Sequence, residues 1–150
     1  MYRGTRDGFK AIDFHSKCDP FKQTLAIIKS TTGHVFGGYT DQDWSGKCYK
    51  IDSNAFIFSL INLDKKPLVM KCLPNQTAIC CSDTIGVTFG NNSSCDILVC
   101  DESNVKKESG SNLGSSFEHP KYEFDTDEAN AFLAGSMYFQ TLEIEVFCKI

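Results

Sequence analysis

The stretch Thr141-Leu142-Glu143-Ile144-Glu145-Val146-Phe147-Cys148 has the most regular pattern in the chain. Apolar side chains occupy every second position of residues 142–148, a period typical of a β-strand with one buried face. Because that face is wholly apolar, we expect the strand to be central, or nearly so, in its sheet. A buried sheet face needs a second layer to pack against, so the segment favours a layered, sheet-rich domain.

Apolar and β-branched segments elsewhere in the chain predict further strands. Residues 24–29 and 34–39 flank the turn Ser30-Thr31-Thr32-Gly33 and predict a hairpin. The Gly37-Gly38 pair inside the second of these strands predicts a bulge or a close approach by another backbone. Additional strands are predicted at residues 54–61, 69–73, 78–81 and 96–100.

Helical spacing is found near the start of the chain. Apolar residues recur at this spacing in residues 7–18, which predicts one short amphipathic helix with Asp7 capping its first turn. Residues 101–121 are mostly polar or small and predict a long, mobile loop. The fold expected from these elements is a single domain over residues 1–150, mainly β with short helices (α+β), built as a two-sheet antiparallel β-sandwich flanked by helices.

Composition limits the classes of function. The net charge is -4 and the 15 Lys and Arg residues are scattered, which argues against a sequence-independent grip on nucleic acid or on anionic membranes. No apolar run is long enough to insert into a bilayer, and the first residues lack a secretory signal. We therefore expect a cytoplasmic protein. The chain begins almost directly on a folding motif, as a domain excised from a longer protein would.

The chain has eight cysteines and no C-x-x-C pair. Several lie inside apolar runs, so we interpret them as unpaired thiols that bind no metal and no cofactor, with disulfides and metal binding as the alternatives. The adjacent Cys80 and Cys81 suit a redox role only if one of them is exposed, and on an alternating strand one must face inward.

Candidate catalytic groups are few. His15, His34 and His119 are the only histidines, and we interpret them as structural. The acidic residues 125–128 lack the remaining ligand positions of a calcium loop. Glu143 and Glu145 project about 7 Å apart from one face of the last strand, where charges that keep the surface soluble are expected. No catalytic residue is therefore assigned.

Trp44 is the only tryptophan and follows Asp41-Gln42-Asp43 in a polar stretch. Indole rings are favoured in protein interfaces, which makes Trp44 a candidate partner contact, with packing at a sheet edge as the alternative.

Five segments, in order, resemble the TLDc domain family: YRGTRDGF at residues 2–9, VFGGY at 35–39, NAFIFSL at 54–60, LAGSMYF at 133–139 and LEIEVF at 142–147. The resemblance covers nearly the whole chain. The family motif residues fall on Asp7, Gly8, Gly37, Gly38, Gly135 and Glu145. Departures are Phe147, where many members have Trp, and Asn91-Asn92 in place of a more glycine-rich turn.

The resemblance implies a β-sandwich flanked by short helices, found in eukaryotic proteins linked to resistance to oxidative stress. In some members it implies binding to the vacuolar proton pump, and no established catalytic mechanism accompanies it. The expected partner is thus a protein, the peripheral sector of a vacuolar-type proton pump, bound by a monomeric domain. Two alternatives are a thiol-dependent antioxidant enzyme and a carbohydrate-binding sandwich.

Overall fold

A computed structural model describes residues 1–91 and 93–149 of the chain. Most of its regular structure is strand. In chain order the strands are β1 (Tyr2–Arg3), β2 (Thr24–Ser30), β3 (Val35–Thr40), β4 (Cys48–Ile51), β5 (Phe56–Ile61), β6 (Leu68–Lys71), β7 (Thr77–Cys81), β8 (Ile85–Asn91), β9 (Ser94–Cys100), β10 (Ser109–Gly110), β11 (Tyr138–Phe139) and β12 (Thr141–Cys148). The helices are α1 (Gly4–Asp7), α2 (Ala11–Cys18) and α3 (Asp127–Phe132).

The strands form two antiparallel sheets packed as a sandwich, as the sequence predicted. The first sheet has the order β1-β12-β2-β3-β5-β6, and the second has the order β11-β10-β9-β8-β7-β4. Strand pairing places Ala26, Gly38, Ile57 and Met70 in one row across the inner face of the first sheet. This row is buried against side chains of the second sheet such as Phe89, and the core lies between the two layers.

The predicted hairpin is confirmed, because β2 and β3 pair directly across the turn at residues 31–34. The strands predicted at residues 54–61, 69–73, 78–81 and 96–100 are present with shifted ends. The sequence patterns did not predict β4 and β8, nor the two-residue strands β1, β10 and β11. In β4 the side chains of Tyr49 and Ile51 are exposed at the edge of the second sheet, so the apolar residues of this strand do not mark a buried face.

The last strand, β12, lies between β1 and β2, next to the edge of its sheet. A bulge between Thr141 and Glu143 changes the register at its start. Because of this bulge Leu142 is 52% exposed, whereas Ile144 and Val146 are buried. The prediction of a wholly apolar inward face was therefore wrong at Leu142.

The single helix predicted at residues 7–18 is two helices. Gly8 ends α1 with a positive φ of 109°, which reverses the chain before α2 begins. Asp7 is the last residue of α1 and does not cap α2, so the predicted capping role was wrong. The N-terminus of α2 is stabilised by Asp13, whose carboxylate accepts the backbone N–H of Lys10 at 3.1 Å.

Apart from β10, residues 101–121 are irregular, as the predicted loop implies, but much of the segment is packed against the sandwich. Leu113 and Phe117 are fully buried. Asp96 of β9 holds this segment, because its carboxylate accepts the backbone N–H groups of residues 114, 115, 116 and 117 at 2.8–3.3 Å. Burial raises the pKa of Asp96 to about 7, although these four donors favour its charged form.

The acidic stretch at residues 125–128 is a helix start and not an open loop. Thr126 is the N-cap of α3, and its hydroxyl accepts the N–H of Ala129 at 3.3 Å. Among the departures from the family pattern, Asn92 lies outside the described residues, as does Ile150. No helix in the described part of the chain has the length and apolar character needed to cross a membrane.

Candidate functional site

The first sheet has a broad apolar face directed away from the core, which we call the outer face. Strand pairing aligns its side chains in three rows, because directly paired residues point to the same side of a sheet. The rows are Phe147-Leu25-Tyr39-Phe56-Lys71, Glu145-Ile27-Gly37-Phe58-Val69 and Glu143-Lys29-Val35-Ile61. Leu142 lies at the border of this face, beside Val35 and Ile27 in a shallow groove.

Several large apolar side chains on the outer face are in contact with solvent. Val69, Ile61, Leu142 and Phe147 are 60, 55, 52 and 45% exposed. Between them the rings of Tyr39 and Phe56 stack with centroids 5.3 Å apart. Contiguous exposed apolar surface of this kind is typical of a binding surface.

One edge of the outer face carries charge. The guanidinium Nε of Arg3 lies 3.0 Å from a carboxylate oxygen of Glu143 and 3.3 Å from one of Glu145. Glu143 also accepts the backbone N–H of Thr5 at 3.0 Å and the hydroxyl of Thr5. Burial alone would raise the pKa of Glu143, but these hydrogen bonds together hold it below its ordinary value.

Two of the family motif residues, Asp7 and Gly8, shape the N-terminal turn behind this edge. The carboxylate of Asp7 pairs with Arg6 and accepts the backbone N–H of Arg3 at 2.9 Å. The hydrogen bond from Arg6, and after it the one from Arg3, lower the pKa of Asp7 to about 2. The carbonyl of Gly8 accepts the hydroxyl of Tyr2 at 2.8 Å. A side chain at Gly8 would collide with the carboxylate of Asp13, so this position requires glycine for space as well as for its φ.

Gly37 and Gly38 make room on opposite sides of β3. On the outer face, a Cβ at Gly37 would be 3.0 Å from the ring of Phe58. On the inner face, a Cβ at Gly38 would be 2.6 Å from the ring of Phe89. The close approach predicted from this glycine pair is confirmed, and Gly37 also lies against the backbone of β2 at Ala26.

Gly135 lies at the far end of the hairpin, just after α3. Its φ is +85°, and a Cβ there would be 2.8 Å from the ring of His34. Next to it, the hydroxyl of Thr32 donates to the carbonyl of Ala134 at 2.6 Å. Gly135 therefore allows the hairpin turn to dock on the segment that follows α3.

Trp44 is in the core, with 1% of its surface exposed. Its indole N–H donates to Thr24 Oγ1 at 2.9 Å, and its ring packs edge-on against Phe14 and Phe89. A partner cannot reach this ring, so the proposal that Trp44 is a surface contact was wrong. The polar residues Asp41-Gln42-Asp43 that precede it suggested an exposed position, but the indole points into the core.

The three histidines are hydrogen-bonded to oxygen or backbone groups. His15 joins the carboxylate of Asp19 at 2.6 Å to the carbonyls of residues 82 and 85. His34 contacts the hydroxyl of Thr32 at 3.0 Å. His119 accepts two backbone N–H groups, and burial lowers its pKa. These contacts fit the structural roles predicted for them.

All eight cysteines are free thiols, and five of them are buried. Cys48 is the exposed one, whereas Cys80 and Cys81 are 5 and 3% exposed. Burial raises the pKa of Cys81 to about 12. In the described part of the chain, no group of three or more His, Cys, Asp and Glu side chains is arranged to hold a metal ion.

The motif residues therefore divide into two groups by position. Glu145 and Gly37 lie on the outer face, and Asp7 and Gly8 support its charged edge. Gly38 and Gly135 serve packing elsewhere. The outer face itself was missed at the sequence level, because its members come from five strands and only the pairing register brings them together.

The sandwich and the close packing at its glycine pair agree with the fold that the resemblance to the TLDc family implied. The family model described as TLDc domain matches residues 1–148, and the chain belongs to that family. Comparison with curated proteins found no similar sequence.

Proposed function

We propose that this TLDc domain is a non-enzymatic interaction module of the eukaryotic cytoplasm whose outer face binds the peripheral, ATP-hydrolysing sector of a vacuolar-type proton pump. Its role in resistance to oxidative stress follows from that binding. The choice of partner rests on the family, and the choice of surface rests on one observation, the exposed apolar rows of the first sheet.

The size and chemistry of the outer face suit a protein partner. Five strands contribute to it, and four inter-strand spacings of about 4.8 Å give a width of ~19 Å. Stable complexes bury ~800 Å² on each partner, usually around aromatic or aliphatic anchors with a polar rim. Tyr39, Phe56 and Phe147 supply the anchors, while Arg3 and Glu143 supply the rim. A net charge of -4 gives little attraction for nucleic acid or an anionic membrane.

The test is direct binding of the purified monomeric domain to the purified peripheral sector, with variants chosen in matched pairs. Val69→Lys and Leu142→Lys each place a charge on the outer face. Ile51→Lys is the control, since Ile51 is 63% exposed on the edge strand of the other sheet and Val69 is 60% exposed on the edge strand of this one. Circular dichroism and thermal unfolding check that all variants fold alike.

We expect the two outer-face variants to weaken binding at least tenfold and the control to bind like wild type. No wild-type binding at tens of micromolar would reject the pump as partner. If both outer-face variants bind like wild type and the Ile51→Lys control binds more weakly, the contact instead lies on the second sheet.

A further inference from the structure

Two cysteines lie directly opposite each other on neighbouring antiparallel strands. Cys48 of β4 is the pairing partner of Cys81 of β7, at the edge of the second sheet. Residues opposed in this way have Cα atoms about 4.5–5.5 Å apart and side chains on the same side of the sheet. Disulfides join Cα atoms about 4.4–6.8 Å apart, so this register gives the two cysteines a Cα separation that a disulfide can span.

The two thiols differ in their access to solvent. Cys48 is exposed, while Cys81 is 3% exposed. Both line one shallow pocket at the sheet edge, which Cys80 and Tyr49 also line. A small oxidant therefore reaches Cys48 first. Cys81, its pairing partner on the adjacent strand, is then the thiol placed to react with the oxidised sulfur of Cys48.

A lysine lies beside the pair. The carbonyl oxygen of Asp43 is 3.9 Å from the Sγ atom of Cys81 and 2.8 Å from the ammonium of Lys50. Burial raises the pKa of Cys81, and the charge of Lys50 opposes that effect. Lys50 is also paired with the carboxylate of Asp43, and the pKa of Cys81 stays raised, so Cys81 is a thiol until the sulfur of Cys48 has been oxidised.

The register also separates Cys81 from its neighbour Cys80. Cys80 is paired with Tyr49, so its side chain lies on the other side of β7 from the Cys48–Cys81 pair. The sequence alone could not choose between the adjacent thiols, and the pairing with β4 makes that choice.

We propose that Cys48 and Cys81 form an oxidisable dithiol which hydrogen peroxide converts into a disulfide between β4 and β7. In the first step the thiolate of Cys48 attacks peroxide, so that an S–O bond forms, the O–O bond breaks and water leaves after protonation. In the second step the sulfur of Cys81 attacks that of Cys48. The S–S bond forms, the S–O bond breaks, and the departing hydroxide takes up the thiol proton. One peroxide and two thiols give one disulfide and two waters.

The disulfide links β4, an edge strand that is hydrogen-bonded to β7 on one side only, covalently to β7. It does not depend on pump binding, since β4 belongs to the sheet opposite the outer face. A failure of either idea therefore leaves the other standing.

The experiment treats the reduced domain with a small excess of hydrogen peroxide, removes the peroxide, and counts thiols after denaturation without reductant. Peptide mass spectrometry then maps any linkage. Variants are Cys48→Ser, Cys81→Ala and the control Cys80→Ala, each checked by circular dichroism. Cys48→Ser alters an exposed position, so this variant keeps the test valid even if Cys81→Ala unfolds.

We expect wild type and Cys80→Ala each to lose two thiols, to yield a peptide linking Cys48 to Cys81, and to regain both thiols with dithiothreitol. Cys48→Ser and Cys81→Ala should form no such linkage. Retention of all eight wild-type thiols, a linkage of Cys48 to Cys80, or a loss that dithiothreitol does not reverse would overturn the proposal.

Discussion

Gly38 lies against the ring of Phe89, and a Cβ atom on Gly38 would be only 2.6 Å from the Cζ atom of that ring. The two residues come from different sheets, so this contact sets how closely the layers approach at the centre of the sandwich. The family motif at this position is therefore architectural.

Gly38→Ala should lower the free energy of unfolding by about 1–3 kcal/mol, because a fully buried ring has to move to admit the methyl group. Gly86→Ala is the matched control. Gly86 is also a buried strand glycine, but its nearest neighbour would be 3.5 Å from the new Cβ, which is an ordinary contact. Urea denaturation measures both. Equal denaturation midpoints for the two variants would contradict the prediction, because they would show that the ring of Phe89 moves aside at no cost in stability.

Trp44 packs against two aromatic rings in the core, those of Phe14 and Phe89, and its indole N–H donates to Thr24. Trp44→Ala should cost roughly 3–5 kcal/mol of stability, since it removes a large buried side chain and leaves a cavity. Trp44→Phe keeps most of the ring volume and should cost less. Chemical denaturation followed by circular dichroism compares them. A midpoint for Trp44→Ala within error of wild type would contradict the buried position.

The fold was predictable from the sequence where a local pattern decided it. The alternation in residues 142–148 and the turn at Ser30-Thr31-Thr32-Gly33 are local signals that span only a few residues. They correctly predicted the last strand and the hairpin. The direction of Leu142 depends on a bulge that forms only against β2, and the burial of Trp44 depends on Phe14 and Phe89, which are distant in the chain.

The same reasoning explains the misjudged segment at residues 101–121. Its polar composition resembles that of a free loop, but the carboxylate of Asp96 supplies partners for four of its backbone N–H groups. Satisfied in this way, the backbone can be buried together with Leu113 and Phe117. Nothing within the segment signals an acceptor that comes from β9.

Asp96 also predicts a dependence of stability on pH. Burial raises its pKa from 3.8 to about 7 in the folded protein. Between these values the folded state holds a proton that the unfolded state releases. Its contribution to stability is therefore full below pH 4 and is lost as the pH rises through 7.

The comparison of wild type with Asp96→Asn isolates this effect, because other carboxylates titrate alike in both proteins. The stability of wild type relative to the variant should fall as the pH rises from 4 to 7, measured by urea denaturation at each pH. A relative stability that rises over this range would mean that the four N–H donors outweigh burial and keep Asp96 ionised.

The last prediction concerns the two glutamates of β12. Glu145 matches the family motif, but Glu143 makes more contacts: it accepts two hydrogen bonds from Thr5 and one from Arg3, with 18% of its side chain exposed. The backbone N–H of Ile144 is a fourth donor, at 3.0 Å. Glu143→Ala removes all four hydrogen bonds to this charged acceptor and should cost about 1–3 kcal/mol.

Glu145→Ala is the matched control on the same face of the same strand. Glu145 has a single ion pair with Arg3 at 3.3 Å and is 33% exposed, so its loss should cost less than about 1 kcal/mol. Urea denaturation gives both values, and hydrogen exchange at Tyr2 and Arg3 shows whether β1 is released. A larger loss for Glu145→Ala than for Glu143→Ala would reverse the assignment and make the motif glutamate the structural one. If Glu145 contributes less to stability than Glu143, its carboxylate is available to contact a partner at the edge of the outer face. The Glu145→Ala variant should then bind the pump sector more weakly, while its unfolding stays almost like that of wild type.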